Sequence, residues 1–166
     1  AVVMGAGGAA RAVIVGLMDS GATEIRLTNR SWAKAHDMAQ EFGGPVRAVP
    51  WQDRHDVLAG AALLVNTTNQ GMHGETELDL RLNQLPLQAL VSDIIYVPLE
   101  TPLLSAARLR GHVTVNGLGM LLHQARPAFA AWVMRQSPAV PAGHSAPAIL
   151  WPPAMLRVAP CPGTAL

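Results

Sequence analysis

The sequence predicts an α/β domain built on a doubly wound, mostly parallel sheet of six strands, followed by an irregular proline-rich tail. Short apolar stretches alternate with stretches of helical periodicity, which is the pattern of strands covered by helices on both faces. A glycine-rich turn, "GAGGAA", joins the first strand to the first helix. The fourth strand opens on the continuous apolar run "ALLV", as a strand buried on both faces would.

Six segments are predicted as strands because short apolar runs, in part alternating with polar residues, end at turn residues. They comprise residues 1–4, 23–30, 45–51, 62–68, 89–96 and 113–116. In the second segment, Ile25 and Leu27 alternate with polar neighbours. Residues 69–87 are polar and turn-rich, and we expect a functional or irregular loop there.

Five segments are predicted as helices, and the second of them carries apolar residues at helical spacing. They comprise residues 8–20, 31–44, 53–61, 101–111 and 117–134. Gly21 is expected to end the first helix, and Ser31 is a candidate N-cap of the second. Pro102 suits the first turn of the fourth predicted helix, whereas Pro127 is expected to kink the fifth predicted helix.

Composition changes after Gln136, because residues 137–166 hold seven of the 13 prolines and show no periodicity. We therefore expect one domain over residues 1–136 and an irregular or disordered tail over residues 137–166.

The overall composition limits the partners and the compartment. Twelve lysines and arginines against 11 acidic residues leave a net charge of +1, without a long run of either sign. We therefore expect neither nucleic acid nor a membrane as a partner. The single cysteine, Cys161, fits a reducing compartment, so a cytoplasmic protein is expected, and the six histidines lack the spacing of metal ligands.

The turn "GAGGAA" satisfies the G-x-G-x-x-G/A pattern of dinucleotide-binding, Rossmann-type domains through Gly5, Gly7 and Ala10. The first glycine permits a tight turn, the second lets a pyrophosphate approach the backbone, and the small third residue lets the helix pack on the sheet. The free amides of the helix start then face the phosphates. The alternative is close packing without a ligand.

The end of the second strand distinguishes the two nicotinamide cofactors. A site for NAD usually carries an acidic residue there, whereas an arginine accommodates the 2′-phosphate of NADP. Here the strand ends in Asn29 and Arg30, followed by Ser31 and Lys34. Two cations are poorly placed at the positive end of a helix dipole unless an anion binds there, which favours NADP over solvated surface charges.

Five blocks of the sequence resemble the shikimate dehydrogenase family in order and approximate spacing. They are "GAGGAARA", "NRSWAKA", "NTTNQGM", "DIIYVPLETPLL" and "GLGMLLHQ". The resemblance covers about residues 1–136 and corresponds to the NADP-binding domain of that family. It implies reversible reduction of 3-dehydroshikimate to shikimate by NADPH, in the route to chorismate and the aromatic amino acids, by an enzyme that is a possible homodimer.

The resemblance also assigns cofactor contacts by position. The phosphate loop would comprise Gly5, Ala6, Gly7, Gly8 and Ala9. The 2′-phosphate side would comprise Asn29, Arg30, Ser31 and Lys34. The end of the fourth strand contributes Asn66, Thr67 and Thr68, for which turn formation is an equal alternative. The nicotinamide side would comprise Ile94, Gly117 and Met120, and the substrate contacts Tyr96 and Gln124.

The proton donor that ketone reduction requires has no candidate in this chain. In the family that task belongs to a lysine and aspartate pair in a preceding domain, whereas Lys34 is the only lysine here and lies at the cofactor's far end. We therefore assign no catalytic residue, expect a fragment truncated inside the first strand, and predict at best weak NADP binding and no dehydrogenase activity alone.

Two other interpretations stay open from the sequence. A glutamyl-tRNA reductase shares the glycine turn and the Asn-Arg strand end, although "GLGMLLHQ" argues against it. A non-catalytic module that senses NADP is the second. The preference between shikimate and quinate depends largely on the absent domain.

Overall fold

Six parallel strands form a single sheet in a computed structural model that describes residues 1–125 and Phe129. The strands are β1 (Val2–Met4), β2 (Ile25–Thr28), β3 (Val46–Val49), β4 (Leu63–Asn66), β5 (Leu90–Asp93) and β6 (Thr114–Val115). Their order across the sheet is β3-β2-β1-β4-β5-β6, and every neighbouring pair is parallel. This order confirms the predicted doubly wound α/β fold.

Four α-helices connect or follow these strands in the part of the chain that the structure describes. They are α1 (Gly8–Asp19), α2 (Trp32–Phe42), α3 (Pro102–Leu109) and α4, which occupies residues 118–125 of the described part. Pro102 lies in the first turn of α3, and the Oγ1 atom of Thr101 caps that helix by accepting a hydrogen bond from the Leu104 amide (3.3 Å). A proline fits this position because the first turn has no use for its missing amide hydrogen.

The helix expected over residues 53–61 is instead two short 3₁₀ helices, Trp51–Asp53 and Asp56–Leu58. Arg54, which lies between the two short helices, donates from its guanidinium to the Asp79 carbonyl (2.8 Å). Gly60 then turns the chain at a φ of +70°. A third 3₁₀ helix, Leu82–Gln84, lies within the predicted loop.

Helices pack on both faces of the sheet, because successive side chains of a strand point to opposite sides. On one face Val3 packs with apolar residues of α1 and α2, including Ile14 and Met38. On the other, Val2 and Met4 pack against α3 and the 3₁₀ segments. All three β1 side chains are fully buried, which fixes this strand at the centre of the domain.

The chain divides into two compact units, Ala1–Pro127 and Ala128–Leu166, and the elements above belong to the first. The predicted kink at Pro127, the boundary after residue 136 and the irregular tail lie outside the described residues. No helix in the described part combines the length and apolarity needed to cross a membrane.

Candidate functional site

A cavity of about 400 Å³ opens at the carboxyl ends of the central strands. The chain connections reverse direction between β1 and β4, and such a switch point is where doubly wound sheets bind ligands. The residues after β1, β2, β3 and β4 line it: Gly5, Ala6, Gly7, Asn29, Arg30, Ser31, Lys34, Trp51, Thr67, Thr68, Asn69 and Gln70.

The glycines of the β1 turn have two different roles. Gly5 has a φ of +103°, and a Cβ atom there would lie 2.7 Å from the Thr67 Oγ1 atom, so this glycine is required by the fold. Gly7 and Gly8 are exposed, and a Cβ atom at either would meet no atom within 4 Å. Open space above these two backbones leaves room for a ligand to approach.

Both helices that begin at the cavity lack the usual N-terminal partners. The N-cap residues of α1 and α2, Gly7 and Ser31, make no side-chain capping bond, and neither helix has an acidic residue in its first turn. The α3 helix, which begins elsewhere, is capped by Thr101. Two sets of free amides and two helix dipoles therefore face the cavity, which is the donor chemistry that phosphate groups require.

Two cations at the cavity also lack partners among the described residues. Arg30 and Lys34 are exposed and form no ion pair or side-chain hydrogen bond within the described residues. Elsewhere five arginines pair with carboxylates: Arg11, Arg26, Arg47, Arg54 and Arg108. Free cations beside the uncapped start of α2 give this end of the cavity a positive charge suited to an additional phosphate.

The end of β4 is held by hydrogen bonds within the protein. The fully buried Asn66 amide accepts from the Thr68 hydroxyl (2.7 Å) and donates to the Asp93 carboxylate (3.1 Å). The Thr67 hydroxyl donates to the Met4 carbonyl (2.7 Å). The Asn66 side chain therefore forms the turn, whereas Thr67 and Thr68 also line the cavity.

Asp93, at the end of β5, is a buried carboxylate with three hydrogen-bond donors. It accepts from the Asn66 amide, from the Ile95 backbone amide (3.1 Å) and from the Thr101 hydroxyl (2.8 Å). Burial raises the pKa of this carboxyl and outweighs the three hydrogen bonds, which favour its charged form. Asp93 is the first residue of the block "DIIYVPLETPLL", but no role was predicted for it.

Replacing Asp93 by asparagine is expected to change how stability depends on pH. Because the folded-state pKa is raised, the stabilising contribution of the carboxyl proton is fully present below the ordinary aspartate value of 3.8 and is lost as the pH rises. Asparagine does not titrate, so the cost of Asp93→Asn should be larger near pH 4, at about 1 kcal/mol, than at pH 7. Urea unfolding at both pH values measures this difference, and an equal cost at both would contradict it.

The nicotinamide side predicted from the sequence lies beyond the cavity, next to β5 and α4. Gly117 is buried, its amide donates to the Ile95 carbonyl (2.9 Å), and a Cβ atom there would overlap the Ile94 carbonyl oxygen. The Ile94 amide in turn donates to the Asn66 carbonyl (3.1 Å). The start of α4 thus lies directly against the end of β5, and contact of Ile94 and Gly117 with the nicotinamide stays a prediction.

Met120 and Gln124 follow Gly117 at spacings of three and seven residues, which places all three on one face of α4. Met120 is half-buried and Gln124 is exposed. Tyr96, two residues after Ile94, is 40% exposed. These side chains are accessible to a substrate, although none of them lines the cavity itself.

The cavity brings together nine of the predicted cofactor residues: Gly5, Ala6, Gly7, Asn29, Arg30, Ser31, Lys34, Thr67 and Thr68. Gly8, Ala9, Asn66, Ile94, Gly117 and Met120 do not line it. Trp51, Asn69 and Gln70 line it but were not predicted. Their positions in the sequence could have indicated them, because Trp51 follows the third strand and Asn69 and Gln70 come directly after Thr68. Gln70 is buried, and its Oε1 atom has no partner among the described residues.

Residues 1–78 match the family model described as shikimate / quinate 5-dehydrogenase. Over 132 residues, or 80% of this chain, the sequence is 57% identical to the shikimate dehydrogenase (NADP(+)) of Paramagnetospirillum magneticum, and the match covers 48% of that protein. The chain belongs to the shikimate dehydrogenase family. This assignment confirms the resemblance and removes the glutamyl-tRNA reductase alternative.

Solved members of the shikimate dehydrogenase family share the fold. The quinate dehydrogenase from Corynebacterium glutamicum in complex with NAD is 31% identical, with a TM-score of 0.72 over 80% of this chain and 49% of that one. The shikimate 5-dehydrogenase from Thermus thermophilus in complex with NADP(H) and shikimate is 36% identical, with a TM-score of 0.67 over 80% and 48%. This chain spans about half the length of the relatives it matches.

No cluster of three or more histidine, cysteine, aspartate or glutamate side chains that could hold a metal ion occurs in residues 1–125.

Proposed function

We propose that this chain binds NADP(H) and is the cofactor-binding unit of an enzyme that interconverts 3-dehydroshikimate and shikimate. One observation supports the proposal. Around a single cavity lie two helix starts without a side-chain cap and two cations that have no partner within the described residues. The amides of α1 would hold the pyrophosphate. Arg30, Ser31 and Lys34 would hold the 2′-phosphate, which favours NADP over NAD.

The residues next to β5 would position the reacting groups. When bound, NADPH supplies the hydride for reduction of the substrate ketone. The backbone around Ile94 and Gly117 would orient the nicotinamide, and Met120 would exclude water from one side of it. Tyr96 and Gln124, both accessible, would hold polar groups of the substrate.

A proton donor is the part of this reaction that the chain does not supply. Ketone reduction needs an acid within hydrogen-bond reach of the substrate oxygen. Lys34, the only lysine of the sequence, lines the cavity at the 2′-phosphate end and is assigned to the cofactor. We therefore propose that residues 1–166 bind the cofactor without turning over shikimate, and that a partner domain completes the site.

A chimaera tests this division of tasks. The first half of a full-length shikimate dehydrogenase would be fused in front of this chain, and NADPH-dependent reduction of 3-dehydroshikimate would be measured with and without the added half. We expect activity in the chimaera and none in the chain alone. Turnover by the chain alone, or an inactive but folded chimaera that binds NADPH, would contradict the proposal.

Gly7→Ala is expected to weaken NADPH binding by the chain about tenfold or more, because the new methyl group enters the space through which the pyrophosphate reaches the backbone. The fold should tolerate the change, since Gly7 has a φ of −109° and a Cβ atom there meets nothing within 4 Å. Calorimetric titration with NADPH and thermal unfolding measure the two effects separately.

Gly16→Ala, in the middle of α1, is the matched control. A Cβ atom at Gly16 also meets nothing within 4 Å, and this residue does not line the cavity. Its NADPH affinity should stay within about twofold of wild type, while helix propensity raises stability by about 0.5–1 kcal/mol. Equal NADPH affinities for Gly7→Ala and Gly16→Ala would contradict the assignment of the pyrophosphate to this turn.

A further inference from the structure

We propose that Trp51 is the platform on which the adenine ring of the dinucleotide stacks. The inference rests on the proposed NADP(H) site and deepens it, by adding an adenine subsite made by a residue outside the glycine turn and the Asn-Arg strand end. Three features carry it: the position of Trp51 across the sheet, the way its ring is held, and the chemistry of the cavity wall.

The strand order fixes the direction in which the dinucleotide must run. The ends of β4, β1, β2 and β3 follow one another along the sheet edge. The pyrophosphate is assigned to the start of α1 after β1, and the 2′-phosphate to Arg30 after β2. The base attached to that ribose then reaches the next position along the edge, after β3. Trp51 lies there, two residues beyond Val49.

The indole of Trp51 is held in place by its neighbours. The guanidinium carbon of Arg54 lies 5.3 Å from the centroid of the Trp51 ring and covers one of its faces. Arg54 itself forms an ion pair with Asp79 and donates to the Asp79 carbonyl (2.8 Å). The ring also packs against the core cluster beneath α3. A ring fixed in this way needs little ordering when a ligand binds, which favours affinity.

The chemistry of the wall leaves one side chain for stacking on a base. Of the cavity's lining residues in the described part of the chain, Trp51 alone is aromatic. Adenine is flat and weakly polar on its faces, and stacking on an aromatic side chain is a general way of binding a base. The remaining lining residues are small, polar or charged, and suit the phosphates and riboses.

The test uses adenosine 2′,5′-bisphosphate, which carries the adenine and the 2′-phosphate without the nicotinamide half. Binding is measured by calorimetry and by quenching of tryptophan fluorescence, in wild type, Trp51→Ala, Trp51→Phe and Trp32→Phe. Trp32 is the matched control, because it is 48% exposed, stacks on His36 and does not line the cavity.

We expect Trp51→Ala to weaken binding about tenfold, in the range of stacking on an aromatic residue. Trp51→Phe keeps an aromatic ring, so its affinity should stay within about threefold while most of the quenching disappears. Trp32→Phe should keep both affinity and quenching. The phenylalanine variant keeps the proposal testable if Trp51→Ala does not fold.

Wild-type affinity in Trp51→Ala, or full quenching in Trp51→Phe, would overturn the adenine platform. These outcomes differ from failure of the proposed function. If the wild-type chain binds neither NADPH nor the bisphosphate, the proposed function and the adenine platform are both wrong. If it binds NADPH, but the Trp51 substitutions leave affinity and quenching unchanged, only the adenine platform is wrong.

Discussion

Replacing Gly117 by alanine is expected to lower the free energy of unfolding by about 3 kcal/mol. The new methyl group would overlap the Ile94 carbonyl oxygen and approach the Ile95 carbonyl carbon to 2.9 Å. Both contacts are backbone atoms next to β5, so no side-chain rotation relieves them. Either the start of α4 moves away from the strand or the end of the strand distorts, and urea unfolding followed by circular dichroism measures the cost.

Gly119→Ala is the control for this prediction. The two glycines are two residues apart, but a Cβ atom at Gly119 meets nothing within 4 Å. Gly119→Ala should therefore leave stability unchanged or raise it by less than about 1 kcal/mol through helix propensity. If both alanine variants unfold at the same urea concentration as wild type, the close approach of α4 to β5 is wrong.

Replacing both Arg30 and Lys34 by alanine is expected to weaken NADPH binding about 100-fold, which corresponds to about 3 kcal/mol. Hydrogen bonds to charged groups contribute about 1.5–3 kcal/mol each when one partner is removed. Since neither cation has a partner within the described residues, the substitution breaks no protein contact there, and stability should change by less than about 0.5 kcal/mol.

Selectivity separates this effect from a general loss of positive charge. NADH lacks the 2′-phosphate, so its affinity should fall less than about fivefold in the double variant. Arg110→Ala is the control, because this exposed arginine follows the carboxyl end of α3, at the opposite edge of the sheet. A parallel loss of NADPH and NADH binding, or an equal effect from Arg110→Ala, would contradict a 2′-phosphate site.

Most of the fold could be predicted from the sequence, because the signals are local. Apolar runs such as "VVM" and "LLV" mark buried strands, and Gly21 and Pro102 mark helix ends that the structure also has. Residues 53–61 are predicted as one short helix, but the structure has two 3₁₀ helices there. The Arg54 side chain between them contacts Asp79, which lies 25 residues away in the sequence.

The residues that line the cavity were predictable where a local motif marks them and unpredictable where a contact joins distant segments. The glycine turn and the Asn-Arg pair are local motifs and line the cavity, whereas phosphate binding by them stays a prediction. Asp93 was missed because its three partners come from three segments, and only the folded chain brings them together. The importance of Gly117 for stability was also unpredictable, because the sequence does not show that the Ile94 carbonyl lies against this residue.

The hydrogen bonds of Asp93 have a mechanical consequence. One carboxylate anchors the end of β4 through Asn66, the turn that leads to Tyr96 through the Ile95 amide, and the start of α3 through Thr101. One buried side chain therefore fixes these three segments relative to one another. Under the proposed function, this shared anchor would keep the distance between the cofactor residues after β4 and the substrate residue Tyr96 constant.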